Sequence, residues 1–176
     1  MILPGVIASS GGVASSYESI ATVTVGSGGS SLITLSSIPS TFAHLQLRFT
    51  IASTVTGATN PGIKFNNDSS AIYTIHQMYG NGSSVVSQAY TGQTGSSLGY
   101  AGTSYPCVGI VDILNYTSTN MYKTLRVLSG YDANGSGYSW FASGLWQSTS
   151  AISRIDISGS VNFSQYSSFA LYVVKG

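Results

Sequence analysis

Charge is the scarcest property of this chain. Asp, Glu, Lys and Arg make up 6% of its 176 residues, against about a quarter in an average soluble domain. The six basic residues, Arg48, Lys64, Lys123, Arg126, Arg154 and Lys175, are never adjacent, and the net charge is +1. Phosphate binding needs clustered Lys and Arg, so no nucleic-acid partner is expected. Cysteine occurs once, as Cys107. That excludes an internal disulfide and a cysteine-based zinc site. Placed before Val108, Gly109, Ile110 and Val111, Cys107 reads as a small buried apolar residue. No stretch approaches the ~18 apolar residues of a membrane-crossing helix. The mildly apolar start, Met1 to Ala8, is broken by Pro4 and Gly5 and has no basic residue ahead of it. It does not read as a secretory signal. A membrane β-barrel would need such a signal and a lipid-facing band, so no membrane partner is expected either.

Ser, Thr, Gly and Asn stand where the charges are missing, and the apolar fraction, 43%, is ordinary. A chain of this length builds one sufficient core without staples. Its surface is polar and nearly neutral. Free proteins of that kind tend to self-associate, a liability that disappears inside an assembly.

Residues 1–16 read as an arm with an apolar tip, Ile2, Leu3, Val6 and Ile7, followed by Ser9-Ser10-Gly11-Gly12. From Tyr17 onward the hydrophobic period is two. In His44 to Ser53, Leu45, Leu47, Phe49 and Ile51 share one face, while His44, Gln46, Arg48 and Thr50 share the other. That is the pattern of a half-buried strand. Further strands are expected at 62–66, 71–79, 85–90, 107–116, 122–131, 138–146, 152–158 and 168–175, rich in Val, Ile, Thr and aromatics. Gly, Asn, Ser and Pro clusters separate them, and no amphipathic helix is evident. The expected fold is all-β: an antiparallel, jelly-roll-like sandwich of about eight to ten strands, forming one domain over 17–176.

Two hairpins follow from the sequence. If the segment Thr117 to Met121 closes symmetrically about Thr119, partners have numbers summing to 238. Asp112 then faces Arg126, Ile110 faces Leu128 and Tyr116 faces Tyr122. A charge in an apolar strand needs a partner, so an Asp112–Arg126 ion pair with a structural role is expected. Asn134-Gly135 marks a second hairpin, because both residues tolerate positive φ. It brings Tyr131 opposite Tyr138.

The candidates for chemistry are weak. Gly95-Ser96-Ser97-Leu98-Gly99 has the spacing of a nucleophile elbow, but that motif needs a strand before it and a helix after it, and its flanks read as loop. Asp132-Ala133-Asn134-Gly135-Ser136 starts like a calcium loop. An EF-hand, however, needs a carboxylate eleven residues after the first ligand, where this chain has Ser143. His44 and His76, the only histidines, lack ligand-type neighbours in sequence. Asp132 and Asp156 form a conceivable carboxylate pair that nothing else favours. No catalytic residue, metal site or cofactor is expected, and the chain reads as a non-enzyme. The 12 tyrosines, with Trp140 and Trp146, suit protein interfaces or glycan contacts as well as core.

Several stretches carry a resemblance. They are Tyr17 to Gly29, Ile38 to Arg48, Leu128-Ser129-Gly130-Tyr131-Asp132, Ser143-Gly144-Leu145-Trp146 and Tyr166 to Tyr172. Taken in order, they resemble a family of small virion proteins of tailed bacteriophages, over nearly all of residues 17–176. The resemblance implies a β-sandwich that trimerises on the particle and works as a capsid decoration (cement) protein bound to the major capsid protein. The alternative it implies is a tail-fibre or receptor-binding module for host surface glycans. The implied location is the outer capsid surface of the virion, after assembly in the host cytoplasm, with the arm at residues 1–16 contacting the capsid.

Overall fold

The computed structural model describes residues 16–55 and 59–175. Those residues form twelve antiparallel strands and no helix. The strands are β1 (Tyr17–Thr24), β2 (Ser30–Leu35), β3 (His44–Ile51), β4 (Gly62–Phe65), β5 (Tyr73–Gly80), β6 (Val85–Gln93), β7 (Ser96–Ser97), β8 (Cys107–Leu114), β9 (Lys123–Asp132), β10 (Gly137–Trp146), β11 (Ile155–Phe163) and β12 (Ser168–Val174). The all-β sandwich expected from the periodicity is the observed fold. Its two sheets are unequal: eight strands in the order β1-β12-β3-β8-β9-β10-β5-β6, and four in the order β2-β11-β4-β7.

Alternation decides which face each strand buries. On the small sheet, Ile33 lies beside Ile157 and Ile157 beside Ile63. In the next row Leu35, Ile155 and Phe65 are neighbours, and all six side chains are buried. Across the large sheet one inner row runs Leu171, Leu47, Val111, Val127 and Ala142. Each of these five is fully buried. The two inner faces and their loops share one core.

Aromatic residues fill two regions between the sheets. Trp146 packs edge-on to Phe65 and stacks on Tyr73. Its Nε1 donates to Asp68 Oδ2 at 2.8 Å. Tyr73 Oη accepts from the Phe65 amide at 2.9 Å. Trp140 stacks on Tyr79 with the rings 8° from parallel and meets Tyr100 edge-on. Tyr100 belongs to the β7–β8 connection, which lies over this end of the wide sheet and is tied down where Ser129 Oγ donates to the Leu98 carbonyl. Gly99 makes that approach possible. Its φ is +96°, and a Cβ there would lie 2.4 Å from Ser129 Oγ, a position closed to other residues.

Both hairpins have the expected register. β8 and β9 pair Val108 with Gly130, Ile110 with Leu128 and Asp112 with Arg126. The ladder stops at Ile113 and Leu125, so Tyr116 does not face Tyr122. Tyr116 instead turns inward and donates its hydroxyl to the Pro39 carbonyl. Tyr131 pairs with Tyr138 across a turn that has Asn134 and Gly135 at positive φ.

Lys123 is fully buried at the start of β9. Its Nζ donates to the carbonyls of Ser118, Met121 and Thr149 at 2.6, 2.9 and 3.2 Å. One ammonium thereby satisfies the loop before β9 and the loop after β10. A charge taken out of water is tolerated only with such partners. Lys123→Met keeps the stem's volume but strands three carbonyls. It is expected to cost about 3 kcal/mol and to lower the melting temperature by roughly 10 °C, read by circular dichroism. An unchanged melting point would show that water replaces the ammonium without penalty.

Candidate functional surface

The sequence motifs with chemical potential dissolve into structure. Ser97 of the Gly95–Gly99 stretch lies in β7, not on a strand-to-helix elbow. Its Oγ is hydrogen-bonded to the Asn60 amide at 2.6 Å and accepts from the Gly99 amide. Ser96 Oγ is buried and faces Gly144, where a Cβ would lie 2.5 Å away. The Asp132–Ser136 stretch is a tight turn. The Asp132 carboxylate accepts from the Asn134 amide, and the Ala133 amide donates to the Ser136 carbonyl. Among the described residues, no group of three His, Cys, Asp or Glu side chains is placed to hold a metal ion. His44 accepts from the Asn115 amide through Nδ1, whereas His76 lies in β5, several strands away. Asp132 and Asp156 belong to different sheets. Asp156 is 1% exposed and held by Arg154 at 2.8 Å, with Thr34 Oγ1 donating to it at 2.7 Å.

The Asp112–Arg126 ion pair is not formed, although the two residues sit directly opposite each other. The ion pair found among the described residues is Arg154–Asp156. Asp112 takes its hydrogen bond from the other side, where Gln46 Nε2 of β3 donates at 2.8 Å. Arg48 Nε in turn donates to Gln46 Oε1 at 2.8 Å. The Arg48 guanidinium lies over the Tyr172 and Tyr17 rings, 4.8 and 5.4 Å from their centroids. Arg126 is exposed, and an exposed pair gains little over hydration. A half-buried carboxylate needs a donor, and the glutamine supplies one. The expected capsid-contact residues Ile2, Leu3, Val6 and Ile7 lie outside the described residues.

The outer face of the eight-stranded sheet is what remains unexplained by folding. The registers align Ile110 of β8 with Leu128 of β9, Leu128 with Phe141 of β10, and Phe141 with Met78 of β5. These four form one continuous lateral row, and they are 39%, 62%, 47% and 49% exposed. Single exposed apolar residues are ordinary, but a contiguous patch marks a site of contact. The row's side chains line two depressions. One is an open groove of about 930 Å³, walled by Val108, Ile110 and Leu128 and reaching the Asp132–Ser136 turn. The other, about 440 Å³, is lined by His76, Met78, Ser87, Ala89 and Phe141. Neither tryptophan reaches this face. Trp140 and Trp146 are 1% and 2% exposed, so their share of the expected aromatic contacts is core packing. The cross-strand alignment of the row is the signal the sequence hides, because each strand contributes a single residue to it.

No family model, no curated protein and no solved structure matches this chain.

Titratable groups report stability rather than chemistry. Burial raises the hydroxyls of Tyr73, Tyr100, Tyr116 and Tyr131 above the ordinary tyrosine value, and burial also raises the Cys107 thiol. Lys123 is lowered by burial. Hydrogen bonds from Ser70 and Trp146 lower Asp68. Burial pushes Asp156 up, but the bonds from Arg154 and Thr34 outweigh it and leave the carboxyl lowered. A raised tyrosine favours the folded state while neutral, so its contribution is complete below pH ~10 and declines as pH rises beyond that. A lowered carboxylate contributes above pH ~4 and loses its contribution below. Lys123 runs against the tyrosines, one group against four. Thermal stability is therefore expected to form a plateau between roughly pH 5 and 9 and to fall on both sides. A melting temperature that climbs through pH ~11 would contradict the tyrosine assignment.

Proposed function

We propose that this chain is a structural subunit that acts by packing against other protein surfaces, not by catalysis. Its proposed setting is the outside of a tailed-bacteriophage capsid, as a decoration (cement) protein that self-associates as a trimer and binds the major capsid protein. The observation that carries the packing reading is the exposed row Ile110–Leu128–Phe141–Met78 on a molecule with 6% charged residues. Such a surface gains from being covered, since each apolar side chain removed from water contributes about 25 cal/mol per Å². The virion setting takes its support from the sequence resemblance over residues 17–176. In that setting, added buried area across the seams between capsomers resists the internal pressure of packaged DNA.

A second reading, a tail-fibre module for host glycans, draws on the groove of about 930 Å³ with Asn81, Asp132, Ser136 and Ser139 in its lining. Its volume is within the range of small-ligand sites. The buried tryptophans leave it without their stacking surface.

Copy number in purified virions separates the readings. Quantitative mass spectrometry is expected to find the protein in proportion to capsomers, and cryo-electron microscopy is expected to place it on the outer shell. A few copies at the tail tip would establish the adhesin. Absence from the particle would overturn both.

A further inference from the structure

We infer that the outer face of the eight-stranded sheet is the surface through which one copy of this chain binds a second copy, with the Met78–Phe141–Leu128–Ile110 row as its core. This deepens the assembly reading above and rests on it. Three observations favour a second copy as the occupant.

The first is area. Eight strands spaced ~4.8 Å apart, each about eight residues long, make a face of roughly 900 Å². A stable protein–protein interface removes about 800 Å² from each partner. This one face is large enough without help from loops.

The second is shape. The same face carries four exposed apolar side chains and the depressions they line: the groove with Val108, Ile110 and Leu128 in its wall, and the smaller one with Met78 and Phe141. Exposed apolar side chains next to depressions give one copy both the knobs and the seats that the next copy needs when copies follow one another around a ring.

The third is charge. Arg126 is exposed and makes no hydrogen bond or ion pair among the described residues. It stands one strand from the half-buried Asp112 carboxylate, which has one hydrogen bond, from Gln46. A face with an uncommitted cation beside a carboxylate that can still accept matches a second copy in sign. Arg48, the other arginine of the face, is already held by Gln46 and the Tyr172 ring. With so few cations, the face offers a nucleic acid or an anionic membrane little to bind.

Light scattering on the purified full chain, over a dilution series, tests the inference. The wild type is expected to be oligomeric and to dissociate on dilution. Leu128→Lys combined with Phe141→Lys is expected to shift the midpoint at least tenfold toward monomer, and Arg126→Glu several-fold. Leu32→Lys, on the outer side of the small sheet, is expected to change nothing. Circular dichroism checks folding. If the double lysine variant does not fold, Leu128→Ser with Phe141→Ser replaces it, since both positions are exposed. A wild type that stays monomeric at high concentration overturns the inference, as does an oligomer indifferent to these substitutions. A monomer that still coats capsids, and loses that binding in the double variant, assigns the face to the capsid protein. That outcome overturns the copy-to-copy contact while leaving the cement reading intact.

Discussion

The structure depends on one constraint: an eight-stranded sheet has twice the width of the four-stranded sheet laid against it. At ~4.8 Å per strand the excess is about 19 Å of inner face, and apolar inner residues left there would meet water. The chain closes the deficit with aromatic volume. Tyr79, Tyr100, Tyr138 and Trp140 pack into one cluster, while Tyr73 and Trp146 extend the cover from Phe65 of the small sheet itself. The β7–β8 connection, with buried Leu98 and Ala101, serves as additional cover. This accounts for both buried tryptophans and for the small residues Gly99 and Gly144, which admit Ser129, Trp140 and Ser96 at close range.

The wide sheet's other face has no such cover. Nothing in the described chain crosses it, and the row from Ile110 to Met78 stays open. The few charges of the molecule are placed mostly where they hold loops and edges. Lys123 gathers three loop carbonyls, Arg154 secures Asp156, and Asp68 anchors Trp146. Arg126 departs from that pattern: it is a cation on the open face with no hydrogen bond or ion pair among the described residues. The same arithmetic of cover that explains the inside therefore points outward to another protein surface.

What the sequence made legible was local. Period-two alternation located most strands, and turn chemistry set the registers of β8–β9 and β9–β10 because each depends on a few adjacent residues. The two-residue β7 was unreadable, since Ser96-Ser97 carries no period and its pairing with β4 is long-range. The partner of Asp112 is hidden from the sequence for the same reason. The hairpin named Arg126, but the donor is Gln46, which lies 66 positions away in sequence and reaches Asp112 only once β3 docks on β8. The candidate surface was hidden altogether, because its four apolar residues come from four strands and become a row only in the assembled register.

The place of β12 has a consequence for how the fold is reached. It lies between β1 and β3, and the β1–β12 and β12–β3 ladders are the ones that join β1 to the rest of the sheet. During synthesis β3 can meet β8 and the β8–β9–β10 meander can close, but β1 has no neighbour until residues 168–174 have left the ribosome. Pairings this distant in sequence form slowly. Until they form, β3 and β1 each present an unpaired edge of the kind that recruits other strands. The nascent chain is therefore most exposed to mispairing just before β12 arrives, and β12 acts as the keystone that removes two of those edges in a single step.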